Sequence, residues 1–390
     1  MPNSFTSPIE YAVYQRDNQN RATVAFSGSG LFGCQSIELK IYEVGSSMPV
    51  ETVKTTVDSE GGFFVPITLK SGWYRVQGVS DLADQLSVPR FGVGEVFVLF
   101  GHSFMQGGSD KNYNRPATEE RSCTLLDRYD SLGRYRYGPI NMVVGPSANE
   151  SECWGLLADR LVQDLNVPVL IYSAAFGGSN LEQSEKVLKG IPFDHGFVKY
   201  EKRHPISFVE DVFKYYIPKT GIRAVLVEHG YNDRGTATSV FTQRYRYILD
   251  YIRTLNNTPD LAYFIVQEEF AEIPNSLFDT PTARGTEILL QTYPNAYPGP
   301  NFNDAVWLTP SLRGADKHLQ GEGITLFGNE WFRTIRANYL RCMPYAGKLP
   351  AIDSTTDEAN FTAAAPIPQN QIWLGLAVLL LIVFYLRNND

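Results

Sequence analysis

The chain has 390 residues, 43% of them hydrophobic and 19% charged, with a formal net charge of -8 and an isoelectric point of about 5.3. This composition excludes a disordered chain, and the length allows two domains around a sizeable core. No cluster of Lys and Arg stands out from the acidic balance, so no nucleic-acid partner is expected.

Residues 1–90 read as an accessory β-sandwich domain. Apolar and polar residues alternate over 21–27, 36–43, 62–69 and 73–79, with Gly, Ser and Asp turns at short intervals. After Arg90 the pattern changes. Apolar runs at 96–100, 167–173, 224–228, 262–266 and 306–308 read as strands, and helical periodicity fills 154–165, 208–216, 241–255 and 324–340. Alternating strands and helices predict an α/β domain over 91–345, with a central parallel sheet and helices on both faces. Such sheets bind ligands at the carboxyl ends of their strands. Long irregular stretches at 105–150 and 268–305 are candidates for binding walls.

Residues 346–370 read as a flexible tether rich in Thr, Ala, Pro and acidic residues. Residues 372–386 form an uncharged apolar run of fifteen. With flanking residues it approaches the ~20 needed to span a bilayer, so a transmembrane helix is expected over 371–387. Arg387 just beyond it favours a cytoplasmic C-terminus and an extracytoplasmic body on a single-pass membrane anchor. Against that placement, the first 27 residues show no signal peptide.

The cysteines are Cys34, Cys123, Cys153 and Cys342, with no Cys-x-x-Cys pair to suggest a zinc ribbon. A Cys123–Cys153 disulfide and free buried thiols both stay open. No metal and no organic cofactor are expected.

Four segments carry chemistry, each near a predicted strand end or before the last helix. Gly101-His102-Ser103 ends the strand at 96–100 and presents a hydroxyl; Met105 breaks the Gly-x-Ser-x-Gly pattern of an α/β-hydrolase elbow. Ala175-Phe176-Gly177-Gly178-Ser179 follows the strand at 167–173, and its glycines let backbone N–H groups approach a ligand. Glu228-His229-Gly230-Tyr231-Asn232-Asp233 follows the strand at 224–228, where the Asn232 amide can donate to an oxyanion. Asp316-Lys317-His318 precedes the last helix and offers a base with an acid two residues upstream. Singly, a cap, a turn or a structural histidine explains each of them.

In this order the four segments resemble the SGNH hydrolase (GDSL-like) superfamily, in particular its carbohydrate-esterase branch of sialate O-acetylesterase and acetylxylan-esterase type. The resemblance covers roughly residues 92–332. It implies a flavodoxin-like three-layer sandwich, here preceded by the β-sandwich and followed by the transmembrane helix. It also implies Ser103 as nucleophile, His318 as base and Asp316 as the acid that orients His318. The oxyanion hole would comprise the Ser103 and Gly178 N–H groups and the Asn232 amide. The sequence departs from the family at His102, where Gln is usual, at Phe104, where Asn is usual, and at Ala315, where the acid normally lies. Asp304, Asp233 and a backbone carbonyl are the other groups that can orient His318, and His102 and His229 are other candidates to tune or replace it.

The function this implies is a serine ester hydrolase removing O-acetyl groups from a carbohydrate or glycan. Two alternatives stand beside it. One is a membrane-tethered glycan-binding protein on a degenerate esterase scaffold. The other is a lipase or thioesterase of the same superfamily.

Overall fold

A computed structural model of the chain describes residues 3–107, 113–129, 133–148, 150–267, 280–302, 304–314 and 318–349. In chain order the N-terminal strands are β1 (Ser4–Ser7), β2 (Val13–Gln15), β3 (Arg21–Ser29), β4 (Ser36–Glu43), β5 (Pro49–Thr56), β6 (Phe63–Lys70) and β7 (Gly72–Ser80). The long strand β8 (Gln85–Gly101) leads into the single-turn helix α1 (Ser103–Gln106). After β9 (Ser122–Leu125) and β10 (Tyr137–Pro139) come α2 (Trp154–Leu165), β11 (Val169–Ser173) and α3 (Leu181–Leu188). Helix α4 (Ser207–Asp211) continues through a π-turn (Val212–Tyr216) into α5 (Ile217–Thr220). The remaining elements are β12 (Ala224–Glu228), α6 (Thr238–Leu255), β13 (Ala262–Gln267), α7 (Pro281–Thr292), β14 (Ala296–Asn301) and α8 (Glu322–Asn338).

The main sheet runs β10-β9-β11-β8-β12-β13-β14, and every pair from β9 to β14 is parallel. Its central strands are buried on both faces, which accounts for their near-continuous apolar runs. Alternate side chains feed two cores. Phe97, Leu99, Ile171, Leu226 and Phe264 face α2 and α8, where they meet Trp154, Phe327 and Trp331. Val98, Phe100, Tyr172, Val227 and Ile265 face the other way, toward Val209, Phe213, Tyr245 and Ile248. The helices present apolar stripes to these faces. In α2 the buried residues include Trp154, Leu157, Ala158, Leu161 and Val162, at i, i+3, i+4, i+7 and i+8, and Asn166 at φ 50° closes the helix.

The sheet corrects the expected fold class: it is mixed, not a parallel sheet with a separate sandwich in front. The cause is β8. Its 85–93 half pairs antiparallel with β7, while 95–101 runs parallel with β11 and β12. Strands β4, β5 and β7 therefore hydrogen-bond into the same eleven-stranded sheet, and β1-β3-β6 forms a second sheet of three. Gly92 lies where β8 passes from one set of partners to the other, and a Cβ there would come within 2.8 Å of the Pro168 ring. Met1–Leu349 makes up one compact unit. The strand expected at 306–308 is instead a 3-10 turn (Ala305–Leu308); the edge strand is β14.

The fully buried Glu95 fixes the amino end of this sheet. It receives Arg16 Nε at 2.8 Å, Arg223 Nε at 2.7 Å and Gln15 Nε2 at 2.9 Å, joining the chain around β2 to β8 and β12.

A second correction concerns the membrane. No helix among the described residues is long and apolar enough to cross a bilayer. Even α6, the longest at 18 residues, carries Arg244, Arg246, Asp250 and Arg253. A C-terminal transmembrane helix is therefore not supported as part of the fold, and neither is a single-pass C-terminal membrane anchor. Residues 371–387, on which that helix was expected, lie outside the described residues, as does 350–370 of the expected tether. All four cysteines are free and buried.

Candidate active site

Strand β8 lies between β11 and β12, and the chain crosses from it to one side and then to the other. This is the switch point at which an open α/β sheet forms a crevice, beyond the carboxyl ends of the strands. Three of the four sequence segments leave the sheet here. Gly101 ends β8 at φ 152°, and a Cβ on it would collide with the carbonyl oxygen of Glu228 at the end of β12. Glycine thus lets the two strand ends close on each other. After His102 the chain turns into α1, with Ser103 as its first residue, and Gly107 at φ 98° stops the helix after one turn.

The segment after β11 runs beside Ser103. Phe176 N–H donates to the Gly101 carbonyl at 2.9 Å, which carries Gly177 over the serine. A Cβ on Gly177 would lie 3.7 Å from Ser103 Cβ. The Gly177 N–H donates to Gln106 Oε1 at 2.6 Å. Gly178 follows at φ 73°, a conformation that favours glycine. Among the described residues, the Ser103 and Gly178 N–H groups have no acceptor in the protein.

The segment after β12 braces that turn from its far side. Asn232 Nδ2 donates to the Ser179 carbonyl at 2.9 Å, which leaves its second amide hydrogen. Asp233, buried, accepts the Leu181 N–H at 2.9 Å through Oδ1. Helix α3 begins here under a capping box between Asn180 and Gln183.

The fourth segment reaches the serine from before α8. His318 Nε2 lies 2.8 Å from Ser103 Oγ. Antiparallel pairing of the flanking residues holds this histidine: Gly314 N–H donates to the His318 carbonyl at 2.8 Å, Arg313 bridges to Leu319, and Gln320 N–H donates to the Leu312 carbonyl at 2.9 Å. The Phe104 ring lies 5.3 Å from the His318 ring, tilted by 41°. The Arg313 guanidinium sits 4.9 Å from the Phe302 ring and 5.9 Å from those of Phe104 and Trp307. Phe104, at a position where the resemblance leads one to expect Asn, is thus part of an aromatic box behind the histidine.

Asp316 lies outside the described residues. Asp304 is exposed and accepts Asn301 Nδ2 at 2.9 Å, and Asp233 is engaged at α3. His102 and His229 are buried, with ring centres 5.9 Å apart. Burial, and then the neighbouring His102, hold the His229 imidazole well below its usual pKa. Among the described residues, no three His, Cys, Asp or Glu side chains converge to hold a metal ion.

The site brings together a hydroxyl, an imidazole within hydrogen-bond reach of it, and two N–H groups beside it. That arrangement can deprotonate the serine and receive an oxyanion. Sequence reasoning missed Gln106 and Arg313. Gln106 could have been found from its spacing, because three residues after Ser103 on a helix it shares that residue's face. Arg313 carried no such signal, since its partners Phe302 and Trp307 come from another loop.

The mixed sheet, the switch-point serine and the histidine arriving from before the last helix define an SGNH hydrolase-like fold. Solved structures show similarity to it. A carbohydrate acetylesterase from Xanthomonas citri superposes over 85% of this chain and 74% of its own, at 14% identity and a TM-score of 0.51. A protein from Arabidopsis thaliana covers 63% of this chain and 98% of its own, at 15% identity and a TM-score of 0.43. A family two carbohydrate esterase from Clostridium thermocellum, solved with cellohexaose, covers 81% and 93%, at 14% identity and a TM-score of 0.36. At such identities the likeness is one of fold, and the Xanthomonas citri structure carries it. No protein-family profile and no curated protein matches the chain.

Proposed function

We propose that the chain is a serine ester hydrolase that removes O-acetyl groups from a carbohydrate through an acyl-enzyme on Ser103. The observation that carries this reading is the 2.8 Å pair of Ser103 Oγ and His318 Nε2 at the sheet's switch point. The acetylated carbohydrate is taken from the fold neighbour in Xanthomonas citri, which is a carbohydrate acetylesterase.

In the proposed reaction Ser103 Oγ attacks the ester carbonyl carbon and its proton passes to His318 Nε2. The tetrahedral oxyanion accepts the Ser103 and Gly178 N–H groups and the second amide hydrogen of Asn232. Collapse breaks the bond to the sugar oxygen, which leaves with the proton from His318. Water then attacks acetyl-Ser103 as His318 takes its proton, and acetate departs as that proton returns to Ser103. Asp316 is assigned to the other ring nitrogen of His318, fixing the tautomer.

A fluorophosphonate probe followed by peptide mass spectrometry tests the nucleophile: the label is expected on Ser103 alone. Acetate release from acetylated oligosaccharides, set against p-nitrophenyl esters of longer acids, tests the substrate. Sugar binding with neither labelling nor turnover would overturn the enzyme reading. Faster turnover of long acyl chains would move the substrate to the lipase and thioesterase class.

A further inference from the structure

The turn beside Ser103 has a second neighbour, and it is an exposed ring. Phe197 is 58% exposed. A Cβ on Gly178 would fall 2.5 Å from its Cζ, so the ring lies directly against the glycine. Gly177 faces Ser103 and Gly178 faces Phe197; the ring and the hydroxyl flank one two-residue turn.

The ring is held in place although it is not packed into the core. Phe176 lies parallel to it, at 6.4 Å between centres and an interplanar angle of 7°, and is itself braced edge-on by Phe208 at 4.8 Å. On the other side His195 meets Phe197 edge-on at 4.8 Å. His195 Nδ1 accepts the Val198 N–H at 3.1 Å, and Lys199 Nζ donates to the His195 carbonyl at 3.3 Å. These bonds close the backbone tightly around residue 197. An exposed phenyl ring so held costs little further ordering when a ligand covers it.

We propose that Phe197 is a specificity-determining residue, the stacking platform for the pyranose ring that carries the ester. The proposal rests on the ester-hydrolase reading and adds to it the leaving-group side of the site. The axial C–H groups of a pyranose present an apolar face that matches a phenyl ring, whereas a short alkyl alcohol reaches the serine without covering it.

The test compares acetylated methyl pyranosides (gluco, galacto, manno and xylo) with ethyl acetate. In Phe197→Ala, the ratio of kcat/KM for the best pyranoside ester to that for ethyl acetate is expected to fall about tenfold, mostly through KM, and Phe197→Trp to restore it. An unchanged ratio overturns the platform. A second measurement is independent of turnover: saturation-transfer NMR on Ser103→Ala with the same pyranosides, with and without Phe197→Ala. Loss of the sugar signals in the double variant supports the platform, and their persistence or initial absence overturns it. If the wild-type protein hydrolyses neither substrate and takes no fluorophosphonate label, the hydrolase reading fails on its own, and the NMR result still decides the platform.

Discussion

The side-chain oxygen of Gln106 holds the N–H of Gly177 at 2.6 Å, and this bond ties the helix that carries Ser103 to the turn beside it. The other end of the same amide donates to the Ser147 carbonyl at 3.2 Å. With the Gly177 N–H occupied, the next donor along the turn is Gly178. In the proposed reaction Gln106 is therefore a positioning residue. Gln106→Ala leaves the Gly177 N–H without that acceptor and frees the turn to drift from the serine. A lost bond of this kind is worth about 1–3 kcal/mol, so kcat on p-nitrophenyl acetate is expected to fall roughly tenfold to a hundredfold with KM little changed. Gln106→Glu keeps an acceptor for Gly177 and should recover part of the loss. Full activity in Gln106→Ala would detach this bond from catalysis.

Ser103 and His318 form a unit if the 2.8 Å pair is the reacting one. Removing either then costs about as much as removing both, because the remaining member has nothing to act on. Ser103→Ala, His318→Ala and the double variant are each expected to lose about a thousandfold or more in kcat, without multiplying. Additive losses in the cycle would mean that the two act separately.

Much of this site was legible because its parts are local. Gly101-His102-Ser103, Gly177-Gly178 and Asn232 each sit at the end of an apolar run, and such runs give away strand ends. What stayed hidden was non-local. The 85–93 half of β8 alternates like an accessory strand, whereas 96–100 is apolar throughout. Pattern alone divides the two halves between two domains, whereas hydrogen bonding joins them into one strand. The 306–308 run failed for another reason: it is too short to tell a strand from a turn whose Trp307 is buried against Phe302. Phe104 departs from the usual Asn, and what surrounds its ring, Arg313, Phe302 and His318, comes from distant segments that the local pattern does not show.

Glu95 gives a stability prediction of its own. It is fully buried and bonded to Arg16, Arg223 and Gln15. Glu95→Ala strands two buried guanidinium groups without their anion, a change that typically costs about 3–5 kcal/mol. Urea unfolding should show the unfolding free energy falling by that amount, with a correspondingly lower midpoint. Because the network lies at the amino end of the parallel half of β8, opposite Ser103, folded Glu95→Ala should keep the wild-type KM. A stability loss below about 1 kcal/mol would mean that water reaches the site and solvates the two cations.

Acid stability turns on His229. Its imidazole is buried beside His102 and Phe100, and burial first, then His102, depress its pKa well below the usual value. The folded state therefore resists the proton that the unfolded chain binds at about pH 6.5. Below that pH the unfolded chain carries more protons, so stability must fall as pH falls; above it the contribution is complete and flat. From this residue alone the slope approaches about 1.4 kcal/mol per pH unit between the unfolded pKa and the depressed folded one. Denaturant unfolding at pH 7.5, 6.5, 5.5 and 5.0 measures it. The slope should flatten in His229→Asn, which keeps a polar group of similar reach but does not titrate. If the wild-type and variant curves run parallel below pH 6.5, another group controls acid unfolding and His229 is charged in the fold.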